Sequence, residues 1–123
     1  MITKSKMVQK GWGYERIITN SNKYCGKILH FYLGKNFSMH YHMLKDETWY
    51  VSLGKLIFKW IDTDTAEVYE KTLNEGDVIH IKPGQPHQLT SLTEAEIFEV
   101  STQHFDNDSY RVWKGDSQDE NII

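Results

Sequence analysis

Apolar and polar residues alternate along this chain in short bursts, as in Thr48-Trp49-Tyr50-Val51-Ser52, and no stretch beyond about ten residues keeps a clean helical period. The pattern predicts strands over residues 15–19, 25–33, 38–42, 47–52, 55–61, 66–73, 78–81, 87–91 and 96–101. Between them stand Gly34, Gly54, Asn74-Glu75-Gly76 and Pro83-Gly84, residues suited to tight turns between antiparallel strands. The fold class is therefore all-β, and so many short strands predict a barrel or jelly roll that closes on itself and hides its edges.

Composition narrows the picture. With 123 residues, 39% of them hydrophobic and 25% charged, the chain fits one domain, residues 1–123, with a core over about 12–113. The polar tail, 116–123, reads as frayed or loosely docked. Net charge is -3, and Lys and Arg are scattered singly, without the basic stripe that phosphate backbones require, so no nucleic acid partner is expected. No apolar run approaches the roughly 18 residues of a membrane span, and the first residues lack a secretory stretch, which predicts a cytoplasmic protein away from membranes. The single cysteine, Cys25, fits a reducing compartment and reads as a thiol on a strand.

Candidate chemistry enters with the histidines. Side chains two apart on a strand share a face, so His40 and His42 project together and can bind one ion jointly. Alone they would read as surface residues of an edge strand. After a turn through Lys45-Asp46, Glu47 opens the next strand on the face of Trp49 and Val51, and the hairpin returns its carboxylate toward the imidazoles. His87 opens another strand behind the rigid Pro83-Gly84-Gln85-Pro86 turn and supplies a fourth ligand. Three neutral nitrogens and one carboxylate suit one divalent transition metal (Zn, Mn, Fe, Co or Ni) better than Ca or Mg, and leave coordination positions open.

These two segments resemble the paired motifs of the cupin superfamily. The first, G-x5-H-x-H-x4-E-x6-G, is matched by Gly34, His40, His42, Glu47 and Gly54. The second, G-x5-P-x-G-x2-H-x3-N, is matched by Gly76, Gly84 and His87, with Lys82 in the proline position and Ser91 in place of Asn. The resemblance implies a double-stranded β-helix barrel and a homodimer, often formed through the N-terminal strands. From Trp12 to about Asp116 the chain is also similar to type II mannose-6-phosphate isomerase cupins, through Gly11-Trp12-Gly13-Tyr14-Glu15, Glu47-Thr48-Trp49, Pro83 to Leu89 and Phe98 to Thr102. That family carries Gln in the place of His40 and arginines in the places of Lys45 and Gln88. A lysine offers phosphate only a point charge, and Gln none. Arg111 falls where the family has a tail arginine.

The resemblance implies an enzyme acting on a sugar or sugar phosphate by isomerisation or epimerisation, in carbohydrate metabolism. Glu47 or His80 would shuttle the proton, and Lys45, Gln88, Arg111 and Trp49 would contact a sugar-like small molecule. His80 shares the alternation of Val78, so it also reads, and more readily, as a hydrogen-bonded core residue. Trp12, Tyr32, Trp49, Phe58 and Trp60 fit core positions as well as sugar stacking. His30 and His104 read as solvated or core residues, and Asp62-Thr63-Asp64 as a hairpin tip. Two further readings keep the metal site: an Fe-dependent dioxygenase, and a non-catalytic accessory module for polysaccharide assembly.

Overall fold

The computed structural model describes residues 1–117. Its strands are β1 (Lys6–Lys10), β2 (Gly13–Asn20), β3 (Cys25–Phe31), β4 (Met39–Tyr41), β5 (Glu47–Leu53), β6 (Leu56–Ile61), β7 (Val68–Leu73), β8 (Val78–Ile81), β9 (His87–Ser91), β10 (Ala95–Ser101) and β11 (Tyr110–Trp113). They form a six-stranded sheet, β1-β2-β3-β10-β5-β8, and a five-stranded sheet, β11-β4-β9-β6-β7. Every strand pairing is antiparallel. From β3 onward the chain changes sheet at each step except the β6–β7 hairpin, which winds it as a double-stranded β-helix.

Period-2 alternation decides what fills the space between the sheets. Trp49 and Val51 of β5, Ile97 of β10 and Leu29 and Phe31 of β3 point inward from the larger sheet. They meet Leu56 and Phe58 of β6 and Leu89 of β9 from the smaller one. Gly54 closes the β5–β6 turn at φ 78°, and a Cβ there would lie 2.3 Å from the Glu94 carbonyl oxygen, so only glycine fits.

Two strands escape the sequence pattern. β1 and β11 are edge strands, and β11 is exposed at all four residues, so neither has a buried face to impose alternation. The seventh strand begins at Val68 rather than Ala66. Asp62 Oδ1 accepts hydrogen bonds from the Asp64 and Thr65 amides, the Ala66 amide donates to the Asp62 carbonyl, and Ala66 sits at φ 64°. The start of the tail, expected to be loose, is docked. Asp116 Oδ2 accepts from the Asn36 amide at 2.6 Å and Ser117 Oγ from the Gly11 amide at 3.1 Å. The remainder, 118–123, lies outside the described residues. Among those described, no helix is long and apolar enough to cross a membrane.

Candidate metal centre

Glu47 and His87 are the first residues of β5 and β9, and His40 is the cross-strand partner of His87, so three strand ends deliver their side chains to one end of the barrel. One ring nitrogen from each of His40, His42 and His87 lies within 4.8 Å of the other two. Hydrogen bonds at the opposite nitrogens decide which. His42 Nδ1 donates to the Asp108 carbonyl at 2.7 Å, and His87 Nδ1 to the Gln85 carbonyl at 2.8 Å. A carbonyl only accepts, so each Nε2 is left with a lone pair facing the cavity. His40 Nδ1 lies 2.9 Å from Ser38 Oγ and is oriented likewise.

His87 Nε2 is buried here without a hydrogen-bond partner, and Glu47 Oε2 is buried without a protein N–H or hydroxyl donor, its carboxyl being hydrogen-bonded to that of Glu99. Glu47 Oε1, by contrast, accepts from Trp49 Nε1 at 2.7 Å, and Oε2 stands 3.4 Å from His42 Nε2. Buried polar atoms left unpaired cost free energy unless something satisfies them, and lone pairs aimed at one point suit a cation. The three histidines thus fit a single divalent transition metal, whose identity they leave open.

Electrostatics prepare the same chemistry. Burial, with repulsion from His87 and His42, holds His40 well below the usual imidazole range, and burial likewise lowers His42 and takes His87 down to about 3. All three are neutral near pH 7, as ligands must be. Burial, reinforced by Glu99, raises Glu47, while at Glu99 burial is outweighed by Lys45 and Lys27 and the carboxylate is held low. Lys45 is buried, paired with Glu99 at 2.7 Å, and its Nζ lies 3.3 Å from His104 Nδ1. Burial also brings His104 to about 4.

A cavity of about 630 Å³ opens above this centre. Trp49 and Lys45 line it, but Trp49 is also buried core, set edge-on to Phe58 and His87. Three other residues expected at the site lie elsewhere. His80 is exposed on the outside of β8, 2.6 Å from Asp46, because its inward neighbours are Ile79 and Ile81. It is neither core nor cavity. Gln88 is buried but outside the cavity lining, donating to the Phe37 carbonyl at 2.9 Å and accepting from Trp113 Nε1 at 3.2 Å. Arg111 is exposed on β11 and does not line the cavity either.

Other residues that shape the site went unrecognised in the sequence. Glu99 carried a signal, since it continues the inward alternation of Ala95 and Ile97 and a carboxylate at a core position marks a paired charge. Asp108 carried none. It lies in a loop, where its carboxylate accepts from the Met43, Leu44 and Lys45 amides.

Residues 28–101, more than half of the chain, match the cupin domain family Cupin_2, and the chain belongs to that family. Among curated proteins, none matches the sequence. Solved structures with the same fold include oxalate decarboxylase from Bacillus subtilis at pH 4.6, with 20% identity and a TM-score of 0.77. Another is the Bacillus subtilis enzyme studied for its Mn(II) centres, with 19% identity and a TM-score of 0.77. In both cases 88% of this chain is covered and 30% of the other, so the chain spans under a third of their length. Neither is a sugar isomerase.

Proposed function

We propose that this cupin is a metal-dependent enzyme that moves a proton beside a carbonyl of a small sugar-like molecule, as an isomerase or epimerase. The observation that carries the reading is the buried Glu47 carboxyl, hydrogen-bonded to Glu99 and set beside three imidazoles in the lining of a 630 Å³ cavity. Glu47 completes the ligand set with His40, His42 and His87. When bound, the ion supplies Lewis-acid polarisation of a substrate carbonyl. Glu47, held through the Trp49 bond to Oε1 and only weakly by the ion, leaves the ion to take and return the proton at Oε2, a role that His80 cannot fill from the outer surface. Lys45 serves as the counter-charge of Glu99 rather than as a phosphate clamp.

The working protein is a cytoplasmic homodimer in this proposal. In support, exposed Phe98 stands opposite Ile28 and exposed Tyr50, and Tyr50 opposite exposed Val78, which gives the larger sheet an apolar outer row. Phe98→Lys is expected to yield monomers in sedimentation, and an unchanged mass would remove this interface.

The activity is tested by elemental analysis of protein purified without added metal, followed by aldose–ketose interconversion assays on the loaded form. One transition metal per chain, with turnover lost in His40→Ala/His42→Ala, is expected. Turnover undiminished in Glu47→Gln at equal metal content would remove Glu47 as the proton carrier. Metal without turnover, or oxygen uptake after Fe is restored, would move the protein to the accessory or dioxygenase class.

A further inference from the structure

The inner face of the six-stranded sheet carries a row of charges that meets the metal centre where Glu99 hydrogen-bonds to Glu47 and then runs on beyond it. Glu15 on β2, Lys27 on β3, Glu99 on β10 and Lys45 just before β5 all line the cavity, and they alternate in sign as the row approaches Glu47. Lys27 and Glu99 are direct cross-strand partners. Lys27 Nζ lies 3.5 Å from Glu15 Oε2, and Lys45 Nζ lies 2.7 Å from Glu99 Oε2. Lys27, Lys45 and Glu99 are each only 2–3% exposed. Such positions in a sheet core are ordinarily apolar, and ion pairs placed there gain little stability over hydrophobic residues of similar size. Their placement along a cavity wall accounts for them better than folding does.

We infer that this row reads the hydroxyl groups of a neutral polyol, a conclusion that rests on the sugar-like reading above and deepens it. A hydroxyl both donates and accepts, so it can bridge an ammonium and a carboxylate that stand side by side. Four strands about 4.8 Å apart, from β5 to β2, give the row a span of roughly 14 Å, room for several successive hydroxyls outward from the metal. Charge excludes a phosphorylated substrate from the same wall. The two pairs cancel, so beyond the metal the buried wall has no uncompensated cation for a dianion. Gln88 and Arg111 stand outside the cavity, and the remaining lining cations, Lys6 and Lys10, are on the outermost edge strand, where water and salt screen them.

The test is calorimetric binding to the metal-loaded protein, with neutral pentoses, hexoses and hexitols as probes beside the terminal phosphates of the same sugars. Neutral members are expected to bind at least as tightly as their phosphates. Glu15→Ala/Lys27→Met, which removes one pair without stranding either partner, is expected to weaken them about ten- to hundredfold with metal content unchanged. Lys27→Met alone, which leaves behind only the partly exposed Glu15 and no new buried cation, repeats the measurement should the double variant fail to fold. Phosphates that bind tighter than the neutral sugars, or neutral sugars bound equally well by the variants, would overturn the inference and leave the isomerase reading standing. If no sugar binds a protein holding one metal per chain, that reading falls and the inference with it.

Discussion

The two oxygens of Glu47 have different surroundings, Oε1 accepting from the Trp49 indole and Oε2 buried beside His42, and the carboxyl is also hydrogen-bonded to Glu99. Burial and Glu99 push the carboxyl up to about 8, so below that pH it holds a proton, which a cation bound at Glu47 as proposed would have to displace. The histidines, lowered by burial, have none to give. Metal binding at pH 7 is therefore expected to release about one proton per ion, read by calorimetry in buffers of different ionisation enthalpy. Zero release would mean that Glu47 is already ionised, or is not a ligand. Gln88 offers a contrasting test, because its two hydrogen bonds tie the Phe37 backbone to Trp113. Gln88→Leu is expected to cost about 1–3 kcal/mol in urea unfolding while metal affinity and turnover stay unchanged. A specific loss of sugar binding would instead restore Gln88 as a substrate contact.

Among the elements, the loop between β10 and β11 does more for the site than its sequence suggests. Asp108 closes the β4–β5 turn through three backbone amides, and its own carbonyl fixes the tautomer of His42. Asp108→Ala is expected to destabilise the fold by about 1–3 kcal/mol. Its metal affinity should fall about 10- to 100-fold, because partners that orient a metal-ligating histidine matter nearly as much as the ligands. Equilibrium dialysis beside thermal unfolding separates the two effects, and full metal affinity in the variant would show that the His42 ring is held without this loop. Legibility in the sequence follows the same division. Strands with one buried face, such as β5 and β10, announced themselves by alternation, and the histidine spacing placed the imidazoles because a strand fixes which side chains share a side. What could not be read depended on tertiary partners. Edge strands β1 and β11 bury too little to show a period. His80 turned out because the two isoleucines beside it took the inner side, and Lys45 turned toward Glu99, far away in sequence.

For the whole molecule, the buried ionisable groups make stability depend on pH in opposite directions on either side of neutrality. His40, His42, His87 and His104 all sit below the ordinary 6.5. Above that pH they are neutral both folded and unfolded. As pH falls below it, the unfolded chain takes up protons that the folded chain refuses, so stability drops toward the folded values, about 4 for His104 and about 3 for His87. Glu99, lowered from 4.5, adds to the acid loss below that pH. Glu47 and His30 act the other way. Both are raised, Glu47 to about 8, so their contribution is complete below the unfolded values of 4.5 and 6.5 and is lost as pH rises through the folded ones. Between 6.5 and about 8 only these two operate, below 6.5 four histidines outweigh them, and at higher pH the raised Cys25 and Lys45 add to the alkaline loss. Metal-free protein should therefore be most stable close to pH 6.5, with urea midpoints falling on both sides. In the proposed ligand set a saturating divalent metal would need Glu47 ionised and the imidazoles neutral, so it would compete with protons and stabilise more as pH rises. The gap between loaded and metal-free midpoints is expected to widen steadily from pH 6 to pH 8, removing most of the alkaline decline. A gap that stays constant over that range would mean that no proton leaves the site when metal enters, so that Glu47 is either already ionised or outside the ligand set.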